Sequence, residues 1–430
     1  MEFILRAVKK IIPPFLFRVL QPVYHFALAF LAALIFGFPS KKIKVIGVTG
    51  TDGKSSAVEI LHEILRNAGF SVASASSLRF KINSEEEVNL KKMTMPGRFF
   101  TQRFLLRAVK AGTDFAILEV TSEGIRQFRH KFIEFDGALL TNLTPEHIES
   151  HGSFENYREA KEKLFSSLPG GGFAVINRDD PSWKHFSDAT RAQKIFYSKE
   201  AISENGTFHR VSGVERKGRI SFEIEGVRFE SNLFGAFNVM NILAAVAMAH
   251  AFGVSFMRSA DALKKISGVP GRLEIVAEKS FRVVVDYAHT PNALKSVYGV
   301  LKDAFPSSKL ICVLGAAGGG RDKWKRSEFG KIAGEFCGEI ILTNEDPYDE
   351  SPREIVDQIA SSIQHSAFSI QHLRRILDRR MAIHEALHLA KPDDTVIITG
   401  KGAEQWIMGP ANIKIPWDDR RVVREELGNL

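Results

Sequence analysis

Val45-Ile-Gly-Val-Thr-Gly-Thr-Asp-Gly-Lys-Ser-Ser56 decides the fold of this chain. Lys44 to Val48 reads as a buried strand, and the helical pattern Ala57–Ala68 follows the Lys-Ser-Ser. Between them Gly50 and Gly53 allow a tight turn, so the N–H groups of Gly50, Thr51, Asp52 and Gly53 can point at an anion while the new helix presents its positive end. Lys54 can reach terminal phosphates, and Ser55 or Ser56 can ligate Mg²⁺. The match to G-x-x-x-x-G-K-[ST] is imperfect, because position 48 is Val and the nearest earlier glycine is Gly47. The bland alternative is a plain strand–helix turn; a strand before and a helix after favour a nucleotide site.

Outward from that loop the chain alternates short apolar runs with helical periodicity. Phe115–Val120, Gly137–Thr141 and Phe173–Ile176 read as strands; Ser55–Ala68, Phe99–Ala111 and Tyr157–Ser167 read as helices. This is an α/β domain with a mainly parallel sheet. Residues 206–234 read as a β-rich insertion, and Ala236–Phe252 as a strongly apolar helix. After Gly268-Val-Pro-Gly271 a second α/β rhythm begins, with strands at Arg282–Val285, Leu310–Leu314, Glu339–Thr343 and Thr395–Thr399. The expected fold is therefore α/β: a central P-loop-type domain over 44–271 and a C-terminal Rossmann-like, doubly wound domain over 272–430.

Residues 1–43 form a separate N-terminal segment. Residues 1–44 carry Arg6, Lys9, Lys10, Arg18, Lys41, Lys42 and Lys44 against the single acid Glu2. Val23–Phe38 is apolar apart from Tyr24 and His25. Sixteen helical residues span about 24 Å, short of a ~30 Å hydrocarbon core. No small-residue cleavage site follows, which argues against a secretory signal. The segment is either a helix packed on protein or a basic, apolar element in peripheral contact with the inner leaflet of a membrane.

Composition narrows the class. With 430 residues, 44% hydrophobic and 25% charged, the chain has ample length for two or three soluble domains. The net charge of +8 suits an anionic substrate or a membrane surface. No basic stripe interleaves with aromatics, so nucleic acid is not expected as a partner. Cys312 and Cys337 lack metal-ligand spacing and are expected to be reduced thiols of a cytoplasmic enzyme.

Further residues could carry chemistry. Glu119 ends an apolar strand, where a carboxylate faces the ligand crevice and can hold Mg²⁺; the alternative is a surface acid. Thr141-Asn-Leu-Thr-Pro-Glu-His-Ile-Glu-Ser-His-Gly152 places His147 and His151 four apart with acids between them. This suits a metal or acid–base site, though histidines are common in such turns as hydrogen-bonding groups. Lys161, taken bare, would be a solvated lysine on a helix face.

These pieces occur in the order seen in the Mur ligases. Gly-Thr-Asp-Gly-Lys-Ser-Ser, Glu119-Val-Thr-Ser, Thr-Asn-Leu-x₃-His-x₃-His-Gly, the Tyr-x₃-Lys-x₂-Leu-Phe helix and Ala174-Val-Ile-Asn-x-Asp-Asp180 come first. Phe234-Gly-Ala-Phe-Asn-Val-x-Asn241, Gly271-Arg272, Asp286-Tyr-Ala-His-Thr-Pro291, Gly318-Gly-Gly-Arg-Asp-Lys-x-Lys-Arg326 and Gly400-Lys-Gly402 follow. The resemblance covers about residues 44–410 and is strongest to the branch that adds the third residue of the peptidoglycan stem.

The resemblance implies a chemistry and an assignment of residues. A carboxylate attacks the γ-phosphate of ATP, and an amine displaces phosphate from the resulting acyl-phosphate. Lys54, Lys161, His147 and Lys325 would be catalytic. Ser55, Ser56 and Glu119 would hold one Mg²⁺ and His147 a second, with Lys161 carried as a CO₂-derived carbamate. Asn238, Arg272, Asp286, His289, Asp322 and Arg326 would contact ATP. Thr94, Thr121, Gln127 and Arg129 match contacts to the acceptor; Asp346, Tyr348, Asp349, Glu350, Gly402 and Glu404 match the amino-acid side. A monomer acting on small molecules in the cytoplasm is expected, with residues 1–40 either packed on protein or touching the inner membrane face.

The chain also departs from the pattern. The branch usually begins with a UDP-binding domain, whereas only 43 apolar and basic residues precede the first strand here, so that pocket is expected to be missing or rebuilt. Diaminopimelate-adding relatives carry Asp-Asn-Pro-Arg where this chain has Asn344-Glu-Asp-Pro-Tyr-Asp-Glu350. Tyr348 cannot clamp a carboxylate in bidentate fashion, and Asp349 and Glu350 favour a cationic side chain, so lysine or another diamine is expected over diaminopimelate. Ser-Ser-His becomes Thr121-Ser-Glu123, Thr-Thr-Pro becomes Thr94-Met-Pro96, and Gly-Lys-Gly-His-Glu becomes Gly400-Lys-Gly-Ala-Glu404. The competing readings are a folylpolyglutamate- or cyanophycin-type ligase and a non-catalytic ATP-binding scaffold at the membrane.

Overall fold

The computed structural model describes residues 14–146, 148–199, 207–215, 220–235, 237–363 and 372–429. Two compact units emerge. The first contains residues up to 143 together with 157–209 and 244–255; the second contains 144–156, 210–243 and 256–430. His147 lies outside the described residues, as do Arg6, Lys9 and Lys10.

The sheet of the first unit is built on β1 (Lys44–Thr49). Its last five residues are fully buried, as a strand covered on both faces requires. β2 (Val72–Ala75), β3 (Arg79–Ile82), β4 (Glu85–Val88), β5 (Phe115–Glu119), β6 (Gly137–Leu140), β7 (Phe173–Asn177) and β8 (Gln193–Ser198) join it in the order β8-β7-β6-β1-β5-β2-β3-β4. β1 pairs in parallel with β5 and β6, with Val48 opposite Glu119 and Leu139. Only the β2–β3–β4 edge is antiparallel. Glu119 thus emerges at the same sheet end as the glycine turn after Thr49, because parallel strands in register bring their carboxyl ends together.

Helix α1 (Pro14–Ile35) covers the apolar stretch from Val23 only as far as Ile35, and starts earlier than expected. Ala29, Ala32 and Ala33 are buried, and Phe26 and Phe30 make edge contacts with Phe128 and Phe132. Its opposite face carries Leu20, Val23, Tyr24, Leu31, Leu34 and Ile35, all exposed, Val23 at 64% and Ile35 at 59%. At 100° per residue these fall within a single apolar stripe. No described helix is long and apolar enough to cross a membrane.

In the second unit, β9 (Thr207–Glu215), β10 (Ile220–Ile224) and β11 (Val227–Ser231) form the antiparallel insertion, with Phe222 stacked on Phe229. A further sheet comprises β12 (Glu274–Glu278), β13 (Arg282–Val285), β14 (Leu310–Leu314), β15 (Glu339–Leu342), β16 (Leu373–Arg375) and β17 (Thr395–Ile398). Its order is β12-β13-β17-β14-β15-β16, parallel except for β12. The chain leaves β13, skips one place to β14, and later returns β17 into the gap. That is a topological switch point, where such sheets bind ligands outside the strand carboxyl ends.

One expectation fails in this core. Cys312 of β14 and Cys337 are joined in a disulfide, with Cα atoms 6.0 Å apart. Both are buried among Leu310, Leu314, Phe329, Ala333 and Ile340. Twenty-five residues separate them in sequence, and only the packing of the helix Trp324–Phe336 against the sheet turns the two side chains toward each other.

Candidate active site

In the first unit the site starts from the turn after β1. Gly50 has φ 147°, and a Cβ there would lie 1.9 Å from the Thr141 hydroxyl, so only glycine fits. Gly53 adopts φ 79° and starts α2 (Lys54–Asn67) without a side-chain cap. The end of β6 holds the loop in shape. Thr51 N–H donates to the Asn142 carbonyl at 2.8 Å and Asp52 N–H to Asn142 Oδ1 at 2.9 Å. The Thr141 hydroxyl donates to the Asp52 carbonyl at 2.7 Å. Lys54 Nζ folds back onto the Thr51 carbonyl at 2.6 Å, a bond that an entering phosphate can replace.

Three expected residues converge here. Ser55 Oγ donates to Glu119 Oε2 at 3.0 Å, and that oxygen also accepts from Ser77 N–H at 2.9 Å. Glu119 is 4% exposed. A hydroxyl beside a buried carboxylate is an oxygen donor set suited to Mg²⁺. Ser56 is buried on the same turn. Lys161 is 2% exposed, and its Nζ donates to the Gly50 carbonyl at 2.6 Å above the ring of Tyr157. Tyr157 in turn hydrogen-bonds the Thr51 hydroxyl at 3.1 Å. Lys161 is therefore no solvated lysine. Among the described residues no group of three or more His, Cys, Asp or Glu side chains could hold a metal unaided, so bound phosphate oxygens would have to complete the shell around Ser55 and Glu119.

The acceptor-side residues form a second group in this unit. Arg129 donates to the Met95 carbonyl and to Gln127 Oε1 at 2.7 Å. Thr121 Oγ1 caps its own short helix by accepting from Gly124 N–H at 3.1 Å. Thr94 is partly exposed beside Met95.

In the second unit the candidate residues gather at the carboxyl ends of β13, β14, β15 and β17. Asp286 accepts from the N–H groups of Leu273 and Ala288, both at 2.6 Å. Arg272 lies over the Tyr287 ring at 4.2 Å. His289 donates from Nδ1 to the Tyr287 carbonyl at 2.9 Å, and burial, with Lys325 nearby, holds its pKa well below the ordinary histidine value, so the ring is neutral. Gly402 approaches so closely that a Cβ at Gly271 would meet Ala403 N at 2.2 Å. Asn238 donates to the Phe234 carbonyl at 2.6 Å. Lys325 is buried against Glu146, with Asp322 at 3.6 Å.

The amino-acid side is more occupied by its own charges than the sequence suggested. Glu350 accepts from Arg326 at 3.0 Å and pairs with Lys323 at 3.5 Å. Asp346 is buried against Lys401 at 2.8 Å and Met408 N–H at 2.8 Å. Glu404 accepts from Lys401 at 2.5 Å and from the Tyr287 hydroxyl at 3.1 Å. Asp349 is exposed and accepts from Ala411 N–H at 2.7 Å. Tyr348, at φ 51°, lays its ring on Gly319.

Sequence reasoning passed over Asn142, Glu146, Arg321 and Glu345. Arg321 is exposed in the field of Tyr287, Tyr348, Glu146 and Glu404. Glu345 is buried beside Asp346, and burial first, then Asp346, pushes its pKa up to about 7. Glu146 stood next to the quoted histidine, and Arg321 stood within the quoted glycine-rich run. The signal for each was adjacency to a motif, which alone does not separate a site residue from its neighbour.

A glycine turn that can cradle phosphate, an acid placed for Mg²⁺ and a buried lysine at the same turn define a protein with a nucleotide-phosphate site. Comparison with known proteins gives the family. Residues 48–249 match the Mur ligase middle domain, and 271–402 match the Mur ligase, glutamate ligase domain. The chain belongs to the Mur ligase family and is an ATP-dependent acid–amino-acid ligase of peptidoglycan precursor synthesis, in a family that works with ATP and Mg²⁺. It is 35% identical to a UDP-N-acetylmuramoyl-L-alanyl-D-glutamate–2,6-diaminopimelate ligase of Thermosynechococcus vestitus, over 92% of this chain and 79% of that one. A UDP-N-acetylmuramyl-tripeptide synthetase of a Roseiflexus species is 34% identical over 95% and 83%. Among solved structures, a UDP-N-acetylmuramoyl-L-alanyl-D-glutamate–2,6-diaminopimelate ligase aligns with TM-score 0.60 at 30% identity, covering 90% of this chain and 78% of that one. A Mycobacterium tuberculosis folylpolyglutamate synthase aligns at 0.68 with 17% identity, a likeness of fold.

Proposed function

We propose that the chain adds a diamine amino acid to a muramyl-dipeptide-like acceptor, with 44–271 as the ATP-binding domain and 272–430 as the second ligase domain. The observation that carries this reading is the convergence of Ser55, Glu119 and Lys161 on the turn at Gly50. An acceptor carboxylate oxygen attacks the γ-phosphorus of ATP, ADP leaves, and an acyl-phosphate forms. The amine nitrogen then attacks the acyl carbon, phosphate departs, and the amine loses a proton. The first step brings two anions together, so cations must offset their repulsion. Thr51 N–H and Asp52 N–H are held by Asn142, so Lys54 and the N–H groups of 53–56 would bind the triphosphate, and Ser55, Ser56 and Glu119 would hold a Mg²⁺ that would supply charge neutralisation. His147 would serve a second Mg²⁺. Lys161, if its neutral amine takes up CO₂ with loss of a proton, becomes a carbamate anion that would be able to ligate a metal. Asn238, Arg272, Asp286, His289, Asp322 and Arg326 serve ATP, and Lys325 serves the transferred phosphoryl group once released from Glu146.

For the amine, Asp349 is the exposed acid, since Glu350 is already engaged by Arg326 and Lys323. Lysine and diaminopimelate are both diamines, and the names of the relatives put diaminopimelate in the comparison. The apolar stripe of α1 next to exposed Lys41 and Lys42 supports peripheral contact with an anionic membrane. We place the protein in the cytoplasm as a monomer at that face. The deciding experiment crosses muramyl-dipeptide acceptors, with and without UDP, against lysine, diaminopimelate and ornithine, and reads products by mass spectrometry. Product with no acceptor–amine pair would end the ligase assignment; selective turnover of one amine names the substrate.

A further inference from the structure

Arg98 opens helix α3 (Arg98–Lys110), whose N-cap Gly97 gives no side-chain cap and whose first turn holds no acid. Its Nη2 donates to the Gln127 carbonyl and to His25 Nδ1 of α1 at 2.6 Å. Arg129 donates to the side chain of the same Gln127 at 2.7 Å. Two guanidinium groups therefore meet at one residue. Neither has a carboxylate within ion-pairing distance among the described residues, and Glu123, whose charge acts on Arg129, is exposed and accepts from Gln127 Nε2 at 2.6 Å. The Nε atoms of both arginines are buried and lack a hydrogen-bond partner. Each Nε–H is a donor that water does not reach, and leaving two such donors unmet beside two like charges is costly. His25 is held neutral, its pKa lowered to about 4 by burial and then by Arg98 and Arg129. It accepts from Arg98 and orients it without adding charge.

A single oxyanion would answer these like charges. It offers several acceptor oxygens to the outer N–H groups of the half-buried guanidiniums, offsets the arginine repulsion, and meets the open positive end of α3. We propose that Arg98 and Arg129 form an oxyanion site for the acceptor, positioned by His25 from α1. This rests on the muramyl-peptide reading above. The oxyanion has two sources in such an acceptor: the phosphoryl groups of its carrier or the carboxylate of its peptide. Arg98 directly follows the Thr94-Met-Pro96 run and Gly97, so this site extends the acceptor contacts toward α1.

The test measures phosphate release with UDP-linked muramyl dipeptide and with the same dipeptide lacking the diphosphate. The full chain is compared with Arg98→Met, Arg98→Lys and His25→Ala. In parallel, equilibrium dialysis in saturating Mg–ADP, which occupies the phosphate loop, reads retention of radiolabelled inorganic pyrophosphate. Arg98→Met is expected to raise the acceptor KM by about tenfold to a hundredfold with kcat within about twofold, to lower pyrophosphate retention, and to be partly rescued by Arg98→Lys. A KM effect confined to the diphosphate acceptor assigns the site to the carrier's phosphoryl groups; an equal effect on both assigns it to the peptide carboxylate. Unchanged KM and unchanged retention overturn the proposal. His25→Ala is expected to raise the acceptor KM less than Arg98→Met does; a larger rise in His25→Ala than in Arg98→Met also overturns the proposal, since it would make the contact a fastening of α1. If the full chain turns over neither acceptor, the acceptor reading fails and the dialysis comparison alone decides the oxyanion site.

Discussion

Lys161 Nζ donates to the carbonyl oxygen of Gly50 at 2.6 Å across 111 residues of sequence. The bond ties a helix lysine to the first residue of the phosphate turn. Lys161→Ala is expected to lower ligase turnover by about a hundredfold or more. In CO₂-depleted buffer the wild type should slow and recover with bicarbonate, while Lys161→Glu should be indifferent to bicarbonate. Phosphate release in the two buffers checks this.

Ser55 and Glu119 share a proton contact in a buried setting that Mg²⁺ would enter. Glu119→Gln keeps the shape and removes the charge. The Mg²⁺ concentration for half-maximal ADP binding is expected to rise about tenfold to a hundredfold, with little change in thermal stability. Calorimetric ADP titration over a Mg²⁺ series reads both.

Glu345 gives a pH signature. Its folded pKa, about 7, lies above the unfolded carboxylate value, so the folded protein binds the extra proton. Stability from this group is then full below the unfolded pKa and declines as pH rises toward 7. The span is of order 3 kcal/mol. Glu345→Gln should flatten that decline and gain most relative to wild type near pH 8. Urea unfolding at a series of pH values decides it, and parallel curves for the two proteins would refute it.

The stripe on α1 predicts membrane partition. The full-length protein should sediment with anionic vesicles, and a chain beginning at Ser40 should partition less by more than about tenfold. Leu31→Asp with Leu34→Asp should behave like the shortened chain while keeping ADP binding. Equal partition of all three would remove the membrane from the account.

Cys312 and Cys337 are buried, which shields their bond from reductants. Intact mass under native, non-alkylating conditions should be lower by two hydrogens than the all-thiol value. Cys312→Ala should cost about 2–4 kcal/mol of stability, without altering ADP affinity. Free-thiol labelling of the native protein would contradict it.

Much of the site was legible because its parts are local. Strand, glycine turn and helix follow from periodicity and from the φ values that Gly50 and Gly53 supply. The end of an apolar strand already located Glu119, since parallel strands expose their carboxyl ends together. Lys161 carried no local mark that separated it from a solvated lysine, and its burial is decided by a helix packing on a loop. Glu350 looked like an acid awaiting a cationic substrate, yet Arg326 reaches it from a neighbouring helix.

From sequence alone came the α/β class, the phosphate turn and the family order of motifs, because hydrophobic period and turn chemistry act over a few residues. The tertiary structure decided the Cys312–Cys337 pairing, the engagement of Glu350 and the meeting of Arg98 with Arg129. Those depend on strand order and helix docking, which bring together side chains that no pattern in the chain links.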